Sequence, residues 1–273
     1  MTTNTPAEIT TNAEYAQLSA ELERILKLRA IPFGMKLFES IAEMESIPRI
    51  RRPKAMHTLD QIVAQTARLG WTVGVTADDL VNDQCRSVVG LGGQDEKWFS
   101  GKEMEGVWYA TLEDVGKHQA AMDIVPRGKY NALVVAPLSK WGCAAGSEAS
   151  PLAKPDIALF YATPGAMIYF INGLQWEGYK RFDWSVVGES SCADSWGRAL
   201  KTREPSLSIP CFAERRYGGV LDDEMLMALP VDGIVKALEG IAALSRNGLR
   251  YPFPQYGIQQ DVRAGMAVSY PKA

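Results

Sequence analysis

The chain has 273 residues, of which 47% are hydrophobic and 22% charged, with a formal net charge of −3. That length can bury a sizeable core without disulfide or metal staples, and the charge gives no general attraction for nucleic acid or anionic lipid, so neither is an expected partner. The polar start MTTNTPAEITTN has neither the basic segment nor the apolar run of a secretory signal, and no apolar stretch of about 18 residues occurs, which points to the cytoplasm.

From the N-terminus, Asn12 to Leu28 carries Tyr15, Leu18, Leu22, Ile25 and Leu26 at helical spacing, and Pro32 ends that helix. The apolar run Pro32 to Phe38 reads as a strand. The basic cluster Arg49, Arg51, Arg52 and Lys54 is broken by Pro48 and Pro53 and reads as a solvated connector. A helix over Leu59 to Leu69 stops at Gly70, and Trp71 to Val75 follows as a strand. Asp78 and Asp79 open a short helical turn with Cys85 near its end, closed by Gly90, Gly92 and Gly93. The span Lys97 to Lys129 is mixed and assigns no element.

Asn131 to Leu138 and Ile157 to Tyr161 read as buried strands, separated by a long Gly-, Ala-, Ser- and Pro-rich connector from Ser139 to Pro155 that holds Trp141 and Cys143. Thr163 and Pro164 cap a helix continuing through Ala166 to Leu174. Trp184 to Val187 reads as a strand, and the helix after Ser190 and Ser191 exposes Cys192 in its first turn and ends near Arg203. Glu224 to Leu229 is a last strand before a helix over Gly233 to Leu244. Irregular alternation of strands and helices with dense turn signals favours an α+β fold with a mixed sheet. Residues 1–30 form an N-terminal helical extension and 31–273 one α+β domain, with two subdomains meeting near 139–155 as an open alternative.

Chemistry concentrates between Ser190 and Glu224. Cys192 at a helix N-terminus is a candidate thiol nucleophile or a buried small residue, and Asp222 and Glu224 are candidate general acids or bases. Arg215 and Arg216, followed by Tyr217, Gly218 and Gly219, form either a carboxylate-gripping turn or a surface ion-pair cluster; Trp196 is a candidate pocket wall. In a reducing compartment the four cysteines are free thiols, redox groups or ligands, and Cys85, Cys192 and Cys211 are the candidate ligands of an iron–sulfur cluster. The absence of any CxxC and the presence of only His57 and His118 favour the metal-free alternative.

The segments CAD at Cys192, EPSLSIPC ending at Cys211, ERRYGG from Glu214 and DDEM from Asp222 resemble the C-terminal signature of the uncharacterised family known as domain of unknown function 169. VTADDL, VVGLGG, ALVVAPL and PDIALFYATPGAMIYFINGL are similar to its recurring phrases, so the resemblance covers most of Ile31 to Pro254. Members often have a cysteine where this chain reads Met56-His57 and an acidic or amide residue at the position of Ala213. The resemblance implies a fold and a site location and carries no activity. The expectation is an enzyme of small-molecule metabolism acting on an anionic organic substrate, with an aromatic one as an open option. The alternative is a noncatalytic ligand-binding or iron–sulfur accessory protein. A second copy of the chain is an open partner in either case.

Overall fold

The computed structural model describes residues 9–81, 83–91, 100–144 and 150–254; the expected turn at Gly92 and Gly93 lies outside them. Six strands, β1 Phe33–Phe38, β2 Val73–Thr76, β3 Ala132–Pro137, β4 Ile157–Ala162, β5 Ser206–Ser208 and β6 Met225–Leu229, form one sheet in the order β2-β3-β1-β4-β6-β5. The α+β class is as the sequence implies. All pairings between these strands are antiparallel, a more uniform sheet than the expected mix, because β1 enters between two later strands, β3 and β4, that both run against it.

Both faces of the sheet are buried. Phe33, Met35, Leu133, Val135, Leu159 and Tyr161 feed one core, while Val134, Ala136, Ala158 and Phe160 feed the other. Burial on both sides is why the strands read as continuous apolar runs without a period of two. The second core is covered by α1 Asn12–Leu26 and two later helices, Pro164–Gln175 and Val231–Arg246. Helix α1 is therefore part of this layer: Tyr15, Leu22 and Leu26 are buried there beside Trp141. Gly34 makes room for that tryptophan, since a Cβ on it would lie 2.5 Å from Trp141 Nε1.

The first face carries the candidate site. It is covered by α3 Leu59–Leu69, α4 Asp83–Val88 and a helical run over residues 191–202, of which Ala193–Gly197 is a π turn and Arg198–Thr202 is α-helical. Short helices at Ile41–Glu45, Leu112–Ala121 and Phe212–Arg216 complete the layers. The helix at Leu112–Ala121 falls in the span that the sequence left unassigned.

One expected strand is absent. Trp184 to Val187 has no partner strand: Trp184 stacks on Phe182 at 5.4 Å and donates to Pro205 O, Val186 is exposed, and Val187 N donates to Asp194 Oδ2. The sheet ends at β5, so this apolar run finds side-chain partners instead of a ladder. Among the described residues no helix is long and apolar enough to cross a membrane.

Candidate functional site

Four elements deliver acids and thiols to one buried cluster above Tyr161 of β4. Thr58 and Gln61 form a reciprocal capping box that fixes the first turn of α3, and Asp60, one residue into it, lies on the same stripe as Val63 and Ala67 and is buried with them. Helix α4 brings Cys85. The start of the 191–202 run brings Ser191 and Cys192, and Cys211, the residue before the helix Phe212–Arg216, brings the third thiol, with Glu214 inside that helix.

The hydrogen bonds form two short chains. Cys192 Sγ and Cys85 Sγ share a hydrogen bond of 3.5 Å, and Cys85 Sγ lies 3.9 Å from both oxygens of Asp60. Ser191 Oγ donates to Glu214 Oε2 in a short contact and accepts from Cys211 N at 2.8 Å. Glu214 is 1% exposed, its Oε1 has no hydrogen-bond partner among the described residues, and the Cys211 backbone N–H also reaches Oε2 at 3.4 Å. Among the described residues no arginine or lysine donates to Asp60, Glu214 or the three thiols.

A buried carboxylate without an ion-pair partner is costly, so these groups keep their protons to higher pH than usual. Burial, then the neighbouring Asp60, lifts Glu214 to about 7, and burial lifts Asp60 to about 6. Burial and Glu214 push the Cys211 thiol to about 12. The hydrogen bond to Cys85 pulls Cys192 down, but burial and the anionic neighbours outweigh it and leave that thiol at about 11. That same bond, with burial and Asp60, raises Cys85 well above the ordinary thiol range. Tyr161 is raised by burial and by Glu214 and Asp60. At neutral pH the cluster therefore combines neutral thiols with two carboxyls that titrate near the working pH, which is the condition for proton transfer in either direction.

The residues singled out from sequence divide sharply. Cys85, Cys192 and Cys211 are brought together. Trp196 is fully buried in the first core at the centre of the π turn, with no acceptor for its Nε1 among the described residues. Gly218 serves a close approach, because a Cβ there would lie 2.5 Å from Glu214 O and 3.4 Å from Asp60 O. Gly219 takes a φ of 62° that suits glycine at the turn. Arg215 stitches its own loop, donating to Pro210 O at 3.0 Å and Leu221 O at 2.7 Å, while Arg216 lies over the rings of Phe212 and the half-exposed Tyr217. Asp222 is fully exposed beside Arg215. Glu224 is buried but held by Arg68 at 2.7 Å and Arg29 at 3.5 Å, which makes it an ion-paired anchor of the loop.

The iron–sulfur expectation meets a specific geometry. Two sulfurs are in contact, yet among the described residues no three histidine, cysteine or acidic side chains gather around one point as metal ligands. As arranged, Cys85 and Cys192 hydrogen-bond to each other and Cys211 does not complete a three-thiolate set with them.

The model of the DUF169 family, described as an uncharacterised ArCR family, matches residues 21–240 of the 273. The chain belongs to that family. No curated protein and no solved structure gives a significant match to it. The matched span of this DUF169 chain contains the whole buried cluster, from Asp60 to Glu214.

Three members of the cluster escaped the sequence reading. Asp60 has a legible signal, an acid on the apolar stripe of its helix. Glu214 has one too: Cys211-Phe-Ala-Glu214 has the spacing of a capping box with cysteine in place of serine. Ser191 has none, since its partners are 20 and 23 residues away.

The sulfur contact gives a direct test. Diamide should remove two electrons and two protons from Cys85 and Cys192 and join their sulfurs, lowering the thiols titratable after unfolding from four to two. The reaction should accelerate as pH rises, because the attacking thiol must first ionise. Peptide mapping that finds these cysteines unjoined would show that the contact is not made in solution.

Proposed function

We propose that this DUF169 chain is an enzyme of small-molecule metabolism, cytoplasmic in keeping with its free thiols, in which Glu214 transfers a proton to or from the substrate. The observation that carries the reading is a fully buried glutamate that, among the described residues, has one oxygen without a hydrogen-bond partner and no ion pair, Arg215 acting on it only through its field, a costly arrangement that a structural role alone does not repay. Asp60 and the Cys192–Cys85 pair supply a second proton-holding chain in the same cluster. Outside the cluster, Phe212, the residue after Cys211, packs against Trp108 at 5.4 Å, and both rings are nearly half exposed. A small organic molecule with a flat or apolar body suits such rings. The two arginines first read as its anchors are engaged with their own loop and its rings, so an anionic group on the substrate has no cationic partner within the cluster.

A metabolite screen by thermal shift followed by turnover assays separates this reading from a noncatalytic binding protein. Glu214→Gln should keep binding of a stabilising hit while its turnover falls by at least about 100-fold, the usual worth of a positioned general acid or base. Stabilising ligands that wild-type protein never converts would favour the binding protein.

A further inference from the structure

Beside the thiol cluster lies a second constellation. Ser190, the residue before the 191–202 helical run, is 2% exposed and holds a φ of 71°. The other non-glycine residues at positive φ among the described residues, Lys27, Arg49 and Arg203, are exposed. A buried β-carbon in the left-handed region costs energy and tends to persist where function holds it. His118, from the helix Leu112–Ala121, places Nε2 3.1 Å from Ser190 Oγ. Its Nδ1 lies 3.3 Å from Val187 O and 2.9 Å from Tyr109 OH, and the Tyr109 ring stacks over the imidazole at 5.0 Å. A hydrogen donated to Nδ1 by the Tyr109 hydroxyl would make Nε2 the donor, whereas in the tautomer that donates from Nδ1 to Val187 O, Nε2 is left to accept from the serine hydroxyl. Burial also lowers the affinity of His118 for a second proton, which keeps that lone pair free.

We propose that Ser190 and His118 form a nucleophile–base pair acting on a small carboxylic ester. Gly188-Glu189-Ser190 turns directly into a helix, which presents the hydroxyl at a sharp bend. The backbone N–H groups of Ser191 and Cys192, at the start of that helix, have no intrahelical acceptor and are the donors available to a developing oxyanion. In the first step Ser190 Oγ attacks the acyl carbon as its proton passes to His118 Nε2. The carbon–oxygen bond to the alcohol breaks, and His118 returns the proton to the departing alkoxide. Water repeats the sequence on the acyl-serine, releasing the acid and restoring the hydroxyl. Tyr109, packed against His118, limits the acyl group to a small one.

The test uses the full chain and a fluorophosphonate probe, which transfers its phosphonyl group to an activated serine with loss of fluoride, followed by mass mapping. Wild-type protein should be labelled on Ser190. Ser190→Gly, which keeps the positive φ without strain, should fold and take no label. His118→Gln should slow labelling by at least about 100-fold. Thermal unfolding checks that both variants are folded. Folded wild-type protein without an adduct at Ser190, or labelling that His118→Gln leaves unchanged, overturns the proposal. Labelling does not depend on proton transfer at Glu214, so the two readings fail separately.

Discussion

Glu214→Gln is expected to stabilise the folded chain by about 3 kcal/mol at about pH 8, because it removes a carboxyl whose ionisation the fold opposes. The sign follows from linkage. An unfolded glutamate releases its proton near 4.5, whereas in the folded cluster it holds the proton up to about 7. Below 4.5 both states are protonated and nothing is lost. Between 4.5 and about 7 the folded state binds a proton that the unfolded state has given up, so stability falls as pH rises and stays low above that window. Asp60 contributes a loss of the same sign from 3.8 to about 6. Glutamine retains an oxygen for the Ser191 hydroxyl and the Cys211 N–H, and its amide takes the place of the unpartnered Oε1. Urea unfolding at several pH values should show wild type and variant converging near pH 4.5 and diverging towards pH 8. Parallel curves would mean that Glu214 titrates normally.

The second large effect is expected at Gly197. A Cβ there would lie 2.1 Å from Asp123 O and 2.9 Å from Val88 Cγ1, and the carbonyl cannot turn aside, because it belongs to backbone fixed beside the same helical run. Lys201 holds the Asp123 carboxylate at 2.8 Å, pinning this approach from the other side. Gly197→Ala should therefore cost about 3 kcal/mol, at the upper end for forced overpacking. The run 191–202 must move as a unit, so Ser191 and Cys192 move with it and diamide should couple Cys85 to Cys192 more slowly than in wild type. Unfolding by urea gives the first quantity and thiol titration the second. A variant as stable as wild type would place the run elsewhere.

Five of the six strands were legible because they are short, apolar and buried on both faces, and they start close to where expected at Phe33, Ala132, Ile157 and Met225; β5, Ser206–Ser208, was not read, because two of its three residues are serines. Trp184 to Val187 misled for the same reason: an apolar run says that side chains are to be covered, and here rings and a peptide carbonyl cover them in place of a strand. Cys192 and Cys211 stood out in the sequence as candidates, but the groups that surround them did not. Asp60 and Cys85 are 25 residues apart, Cys85 and Cys192 107, and His118 and Ser190 72, so only the tertiary fold brings them together. The Arg215-Arg216 pair was conspicuous in the sequence because charge beside glycine looks like a ligand grip. In the fold, backbone carbonyls and aromatic rings take up both side chains.

The most direct test of the central claim, that Glu214 is a buried carboxyl poised to exchange its proton near neutrality, is a carbon-13 NMR titration of protein labelled at glutamate side-chain carboxyls, with the Glu214 resonance assigned by its loss in Glu214→Gln. The predicted midpoint is about 7. A midpoint near the ordinary 4.5 would contradict the account.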